Sequence, residues 1–417
     1  MYIAYPRSTG SFTKSRYSSN NVGCKPFKQV VDTLEELGYI DNHTGYWDKS
    51  FHFGRNSRMR ATTKLVELFN KNELASVMLQ RDENEELVIL KDDNKDKIDY
   101  DETEKTVLMR SNLHTINNLL SRHWIDLRVS DERLIEINKI LDKDKDRQCV
   151  DFSRKTLKRI FNNCSFEQGG RFYHGWWQEI PKRYRKFIEI DGKQTVEVDY
   201  SGIHFRMLYA LEGQDLGAND PYIVKGYENQ RIKIKKSLNI IVNAETKEEA
   251  LKAIKKNTKS TEEEALKIYQ LLEDKHPKIN KYFGTGEGIK LQYGDSQIAE
   301  KIMLNLARDN IVALPVHDSF IVRMSHQIDL HEEMDRVFEE FTGVKSKRDK
   351  GKTVFNDQTK KTESNKLSNN KGETLEGTEG VIIKGSDINF EELMNLNEDY
   401  KGYNLREGQW RKYKEYN

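Results

Sequence analysis

Thr195-Val196-Glu197-Val198-Asp199-Tyr200-Ser201-Gly202 alternates polar and apolar side chains and then meets a turn pair. Alternation of this kind has the period of a half-buried strand, and Ser-Gly ends it. His204, Phe205, Met207, Leu208 and Leu211 continue at helical spacing. The segment therefore reads as strand, tight turn, helix, with Asp199 at the end of the strand. A second stretch has a complementary form. Ile311 to Val316 and Ser319 to Val322 are apolar runs on either side of His317-Asp318, which predicts a hairpin with those two residues at its apex. Each aspartate alone would be an ordinary turn residue or helix cap. Two carboxylates on adjacent strands are the usual way to hold two Mg²⁺ ions ~3.5–4 Å apart for phosphoryl transfer. Mg²⁺ takes hard oxygen ligands, keeps several waters and draws the rest of its shell from substrate phosphates.

The chain around these stretches has 417 residues, 36% hydrophobic and 33% charged. That length predicts two or three domains, and the charge content predicts solvated linker or tail besides a core. The formal net charge is only +1, so any nucleic-acid surface must come from local clustering. Cys24, Cys149 and Cys164 are an odd, widely spaced set, which argues against a disulfide framework and a cysteine zinc site. No run approaches the ~18 apolar residues of a membrane span, and no apolar leader precedes the first element. The expectation is a soluble protein of a reducing cytoplasm with no membrane partner.

Residues 1–24 are rich in Ser, Tyr and Asn, and read as a flexible, mildly basic arm. Residues 25–104 read as a small α+β module. A helix runs from Pro26 through Phe27, Val30, Val31, Leu34 and Leu37 to Gly38. Tyr39-Ile40, a polar turn at Asp41–Gly45 and Tyr46-Trp47 suggest a hairpin, followed by Arg55, Arg58, Arg60 and Lys64 and a second helix. That order suits a winged-helix module, but with no recognition helix in view a plain α+β cap with a solvated basic edge is favoured. Residues 105–164 are helical in pattern, through Leu108, Leu113, Ile116 and Leu120, then Leu134, Ile137 and Leu141, then Leu157 and Ile160. The block from Phe161 to Val322 holds nearly all the informative sequence, and the domain taken as residues 165–344 ends beyond it in an amphipathic helix from Leu330 to Phe341. Residues 345–378 carry few large apolar groups and read as a disordered linker. The tail, 379–417, brings Trp410, Tyr413 and Tyr416 among Arg and Lys, aromatics that either stack bases or dock on the protein.

Between the two aspartate segments, Arg231, Lys235, Asn239 and Asn243 recur every four residues, one stripe of a helix. Two cations one turn apart can follow a polyphosphate, although such a stripe alone is more often a solvated face. With this segment in place, residues 165–322 resemble the palm and fingers of family-A DNA polymerases and the related single-subunit phage RNA polymerases. Gly170-Arg171 and Gln178-Glu179-Ile180-Pro181 look like the family's Gly-Arg segment and its Gln-Asn-Ile-Pro. Val198 to Arg206 is similar to motif A, Arg231 to Ala244 to motif B, and Val316-His317-Asp318-Ser319-Phe320 to motif C. Gln292 through Met303 resembles the segment before motif C.

The resemblance implies an α+β right-hand polymerase with an antiparallel palm sheet, short helical fingers and a helical thumb-like region over 105–164. It implies that Asp199, the Tyr200 backbone carbonyl and Asp318 bind two Mg²⁺ ions, with Mn²⁺ as a substitute. Arg231 and Lys235 would hold the triphosphate, with Lys235 also donating a proton to pyrophosphate, and Asn239 and Asn243 would lie against base and sugar. Arg171, Arg206, Gln292 and His317 would contact template or primer. His204 stands where the DNA enzymes carry the glutamate that excludes a 2′-hydroxyl, and Asn243-Ala244 replaces the family's Tyr-Gly, so the sugar selected is left open. No proofreading exonuclease motif accompanies the block. The expected activity is addition of nucleoside triphosphates to a 3′-hydroxyl on a DNA template. The alternatives are a non-catalytic nucleic-acid-binding replication or regulatory protein on the same scaffold, and a template-independent nucleotidyltransferase.

Overall fold

The computed structural model describes residues 2–12, 15–17, 22–48, 50, 52–72, 85–142, 149–217, 220–346 and 399–416. Its N-terminal module is built from β1 (Ile3–Tyr5), α1 (Cys24–Glu36), β2 (Ile40–His43), β3 (Tyr46–Asp48), β4 (Phe53–Arg55), β5 (Ser57–Ala61) and α2 (Thr63–Lys71). The stretch 1–24, expected to be a flexible arm, contributes a strand: β1 pairs antiparallel with β5, Tyr5 opposite Ser57. Tyr5, Val31 and Ile40 form the small core beneath, with Phe27, Leu34, Met59 and Leu65 around them. Arg7 anchors the first segment through a two-pronged ion pair to Asp32 at 2.7 and 3.0 Å. The hairpin turn expected at Asp41–Gly45 is not a turn. Ile40 faces Ala61 and Tyr46 faces Arg55, so β2 and β3 run on as one arm of a longer hairpin against β4 and β5.

The remaining elements up to Phe338 share one large core that extends in sequence from Leu87. A three-stranded sheet comprises β6 (Val88–Leu90), β8 (Lys158–Asn162) and β9 (Ser165–Tyr173), with β6 parallel to β8 and β8 antiparallel to β9. Residues 85–104, grouped with the N-terminal module by sequence, thus pack with the main body. Between β6 and β8 come α3 (Glu104–Ser121), β7 (Ile125–Leu127) and α4 (Asp131–Asp142). Thr103 and Thr106 cap α3 reciprocally, each hydroxyl accepting from the other's backbone N–H at 3.2 and 2.9 Å. The helical reading of 105–164 therefore holds for α3 and α4 and fails at Ile125–Leu127 and Lys158–Asn162. Apolar runs that short carry no period that separates strand from helix, and here sheet pairing decides.

The second sheet is antiparallel throughout and has five strands in the order β12-β13-β11-β10-β7. Its remaining members are β10 (Ile188–Ile190), β11 (Lys193–Asp199), β12 (Leu314–Val316) and β13 (Ser319–Arg323), after the short α5 (Lys182–Arg185). Between β11 and β12 lie α6 (Ile203–Leu211), α7 (Arg231–Asn243), α8 (Lys247–Thr258), α9 (Glu262–Lys275) and α10 (Gly288–Arg308). Thr246 and Thr261 cap α8 and α9 through backbone N–H groups, and both first turns are acidic, which suits a helix N-terminus. Leu291, Ile298 and Ile302 bury one stripe of α10 against β9 and α3. After β13, α11 (Gln327–Thr342) packs Leu330, Met334, Val337 and Phe338 into the core. The mixed α+β class with antiparallel sheets agrees with the sequence.

From residue 347 the stretch read as a disordered linker lies outside the described residues, as does the tail up to residue 398. The final helix, α12 (Lys401–Tyr416), settles the two readings of the tail in favour of docking. Tyr403 and Trp410 are 5% and 6% exposed and pack on Trp124. The Tyr403 hydroxyl donates to Glu189 at 2.6 Å, and Arg406 donates twice to Asp126 at 2.8 Å. Glu189 and Asp126 are cross-strand partners on β10 and β7, so α12 covers that end of the five-stranded sheet. No helix among the described residues is long and apolar enough to cross a membrane.

Candidate functional site

β11 and β13 pair in register from Thr195–Arg323 to Asp199–Ser319. Asp318 immediately precedes Ser319, so the two aspartates foreseen in the sequence come to neighbouring strand ends. The Tyr200 N–H donates to the Asp318 carbonyl at 3.4 Å and closes this corner. Val316 faces Ser319, which leaves His317-Asp318 as a two-residue hairpin tip, and His317 takes the left-handed conformation that such a tip demands (φ +58°). Gly202 starts α6 at φ +68°. A side chain there would come within 3.2 Å of the Tyr222 hydroxyl in an already disfavoured conformation, so the turn after Asp199 requires glycine.

The side chain of Tyr200 points inwards. Its hydroxyl donates to the Met334 carbonyl at 2.6 Å, and only its backbone borders the strand end. Ser319 donates to Glu197 at 2.8 Å, and Arg185 lies 3.3 Å from the same carboxylate. Glu197 precedes Asp199 by two on the same face of β11, and Arg185 balances its charge. Among the described residues no group of three or more His, Cys, Asp or Glu is gathered for a metal. The donor set at the strand ends is two carboxylates. This fits a hard cation that completes its shell with water and substrate phosphate, and does not fit a soft metal in an all-protein cage.

One flank of the carboxylate pair carries a buried charge network. Arg171, on β9, donates from Nε to both oxygens of Asp295 at 3.1 Å and from Nη2 to Oδ2. His204, on α6, brings Nε2 within 2.7 Å of Asp295 Oδ2 and 3.2 Å of Arg171 Nη2. Asp295 is 3% exposed and holds both partners from inside. The network lies within electrostatic reach of the hairpin tip. Desolvation and the Arg171 charge push the His317 imidazole below its ordinary value, against the pull of Asp318. Arg171 is held above the ordinary guanidinium value by Asp295, with Asp318 adding to the effect, although burial opposes it.

The other flank is the cationic end of α7. Arg231, Lys235, Asn239 and Asn243 are all exposed on one stripe, as their spacing predicts. Arg231 donates to Asp220 at 2.6 Å, and its guanidinium lies 4.9 Å from the centre of the Tyr222 ring. Lys235 approaches the same ring at 5.7 Å. Tyr222 is buried, packs edge-on to Phe205 and reaches the Gly202 turn. It therefore ties the two cations to the turn that follows Asp199. Asn243 donates to the Asn239 carbonyl at 2.7 Å, further along the helix. Gln292 is half-buried one turn before Asp295 on α10.

Arg206 departs from its expected role. It is 4% exposed and donates to the Ser201 and Gly217 carbonyls, each at 3.2 Å, so it fastens the loop beyond Asp199 and offers no charge to a strand. Asp295, Tyr222 and the Arg185–Glu197 pair are the residues that sequence reasoning did not single out. A signal for Asp295 was present: it interrupts the apolar stripe Leu291, Ile298, Ile302 on α10, and a carboxylate in such a stripe needs a buried partner. Compared with known proteins, the chain matches no protein-family model, and no curated protein is significantly similar to it.

Proposed function

We propose that the chain is a Mg²⁺-dependent nucleotidyltransferase that adds nucleotides to a 3′-hydroxyl on a DNA template. The reading rests on one observation above the others: the register that sets Asp199 opposite Ser319 brings the end of β11 beside the hairpin tip that carries Asp318. Acidic side chains collected where a polyanion must bind repel it unless cations intervene. The motif order of the resemblance and the tie from Tyr222 to Arg231 and Lys235 support the same conclusion. In this reading the five-stranded sheet is the palm and α7 to α9 are the fingers.

Asp199 and Asp318 would hold the two ions, and Tyr200 would offer its backbone carbonyl. Bound there, the ions supply charge neutralisation at the attacking and leaving oxygens. Arg231 and Lys235 would line up along the triphosphate, and Lys235 would donate a proton to the leaving group. Arg171 and His204, oriented by Asp295, face the growing strand or the incoming sugar. An incorporation assay with primed and unprimed templates, and with ribo- and deoxyribonucleotides in separate reactions, tests the proposal. Failure to incorporate in every combination, with Mg²⁺ or Mn²⁺, would defeat it. Sequencing of the products separates templated synthesis from untemplated addition.

A further inference from the structure

We infer that His276, at the end of α9, is a positioning residue for the triphosphate. With its neighbour Lys275 it clamps the backbone on both sides of Tyr222, the ring against which Arg231 and Lys235 stand. This role rests on the reading of those two cations as the triphosphate site.

The local sequence fixes where the histidine sits. Pro277 follows it, and the residue before a proline is pushed out of helical conformation, so α9 closes at Lys275. The backbone of His276 is fully committed. Its N–H donates to the Leu272 carbonyl, and its own carbonyl accepts from the Ile279 and Asn280 N–H groups, each at 3.0 Å. The residue is 1% exposed, and both ring nitrogens have partners. Nε2 lies 3.0 Å from the Pro221 carbonyl, and Nδ1 lies 2.9 Å from the Tyr209 hydroxyl. A carbonyl only accepts, so Nε2 carries a proton. Burial pushes the imidazole below its ordinary value, which leaves Nδ1 to accept from Tyr209.

A histidine satisfied in this way is neither a metal ligand nor a base. Many such residues only fill a core, and this one is set apart by where its bonds lead. Pro221 precedes Tyr222, and the Lys275 ammonium donates to the carbonyl of Ile223, which follows it. The end of α9 therefore holds the carbonyls on either side of one tyrosine. Asp220 tightens the same loop from within. One of its oxygens accepts from the Tyr222 N–H at 2.8 Å, and the other accepts from Arg231 at 2.6 Å.

α6 supplies the counterpart. Phe205 and Tyr209 are four residues apart and share one face of that helix. Phe205 packs edge-on to the Tyr222 ring, with centroids 5.9 Å apart, and Tyr209 packs edge-on to His276 at 6.0 Å. One helix thus holds Tyr222 twice, directly at its ring and through His276 at its backbone. It is also the helix that follows Asp199. The series Tyr209, His276, Pro221 therefore sets the separation between the strand-end carboxylates and the α7 cations that a bound triphosphate would span.

Steady-state kinetics of the full chain on a primed template, with one nucleotide varied, provides the test. His276→Ala should raise KM for that nucleotide about tenfold, the worth of one buried hydrogen bond, and change kcat little. His276→Gln offers an amide N–H to Pro221 and should recover most of the loss. Lys275→Met keeps the stem, loses the outer bond and should raise KM about threefold. A purely structural histidine would lower kcat with the folded fraction and leave KM alone. Hydrogen exchange without substrate reads the clamp itself, and amides of residues 220–227 should exchange faster in His276→Ala than in the unaltered chain. Unchanged KM or unchanged exchange in folded His276→Ala would overturn the inference, as would a loss that His276→Gln does not relieve. If His276→Ala does not fold, unchanged KM in Lys275→Met overturns it equally. No incorporation by the unaltered chain would defeat the reading of the site and the positioning role with it, whereas the exchange result is independent of that reading.

Discussion

Nε2 of His204 lies 2.7 Å from Oδ2 of Asp295, inside the protein and beside Arg171. Asp295 thus fixes the orientation of the His204 ring from inside, with Arg171 held by the same carboxylate. Replacing Asp295 with Asn removes that constraint. The ratio of ribo- to deoxyribonucleotide incorporation by Asp295→Asn is expected to shift by about tenfold, the value of one hydrogen bond to a polar site. Asp295→Ala leaves the Arg171 charge buried and unpaired, and should cost about 3–5 kcal/mol of stability in urea denaturation. An unchanged sugar ratio together with unchanged stability would refute this role.

The strand-end aspartates should behave differently. Asp199→Asn and Asp318→Asn are each expected to lower incorporation by at least about 10³-fold while leaving template affinity and the melting temperature near those of the unaltered chain. Anisotropy and calorimetry on the same preparations distinguish lost chemistry from lost folding.

On α7 the two cations should separate kinetically. Arg231 already shares its charge with Asp220, so Arg231→Ala should act mainly on KM for the triphosphate, by about tenfold. Lys235→Ala should act mainly on kcat, by about 10²-fold or more, as expected for loss of a proton donor. Steady-state kinetics with one varied nucleotide would show the split, and equal effects on both constants would contradict it.

These contrasts show what local sequence could convey. Alternation around Asp199, the apolar runs flanking His317-Asp318 and the four-residue spacing on α7 are local patterns, and the elements followed them. Asp295 owes its importance to Arg171 and His204, far off in sequence on β9 and α6, and Tyr222 and Arg185 owe theirs to partners on other elements, α6, α7 and β11, which no local period records. Arg206 was misplaced for a related reason. The resemblance alone suggested that it contacts template or primer, whereas the Ser201 carbonyl and the loop returning at Gly217 hold it inwards. Lys158–Asn162 was lost because five residues carry too little period, and its pairing with β6 and β9 settled its form.

A buried ion pair offers a test of stability apart from the site. Arg159 is fully buried, 2.9 Å from Glu300, and also donates to the Gly170 carbonyl and to Ser296 at 2.8 and 2.9 Å. Arg159→Met alone should cost about 3–5 kcal/mol, because Glu300 is left without its counter-charge. Adding Glu300→Leu should recover most of that loss. Urea unfolding of the single and double variants checks both statements.

The docking of α12 should respond to pH through Lys155, whose ammonium lies 4.6 Å from the centre of the Trp410 ring. Burial pushes Lys155 down to about 8 from its ordinary 10.5. Below 8 both folded and unfolded chains hold the proton, so its contribution is constant. From 8 to 10.5 the unfolded chain binds a proton that the folded chain has released, and stability should rise by about 3 kcal/mol across that window. Lys155→Met should flatten this part of the profile in thermal melts taken at successive pH values.

The same helix sets an order on biogenesis. α12 is synthesised after every strand of the sheet it covers, so a nascent chain passes through a stage in which Trp124, Asp126 and Glu189 have no lid. Until Lys401–Tyr416 leaves the ribosome, that end of the sheet is a sticky surface for chaperones or for neighbouring chains on a polysome. Covering of that end of the sheet therefore waits on the emergence of one late helix.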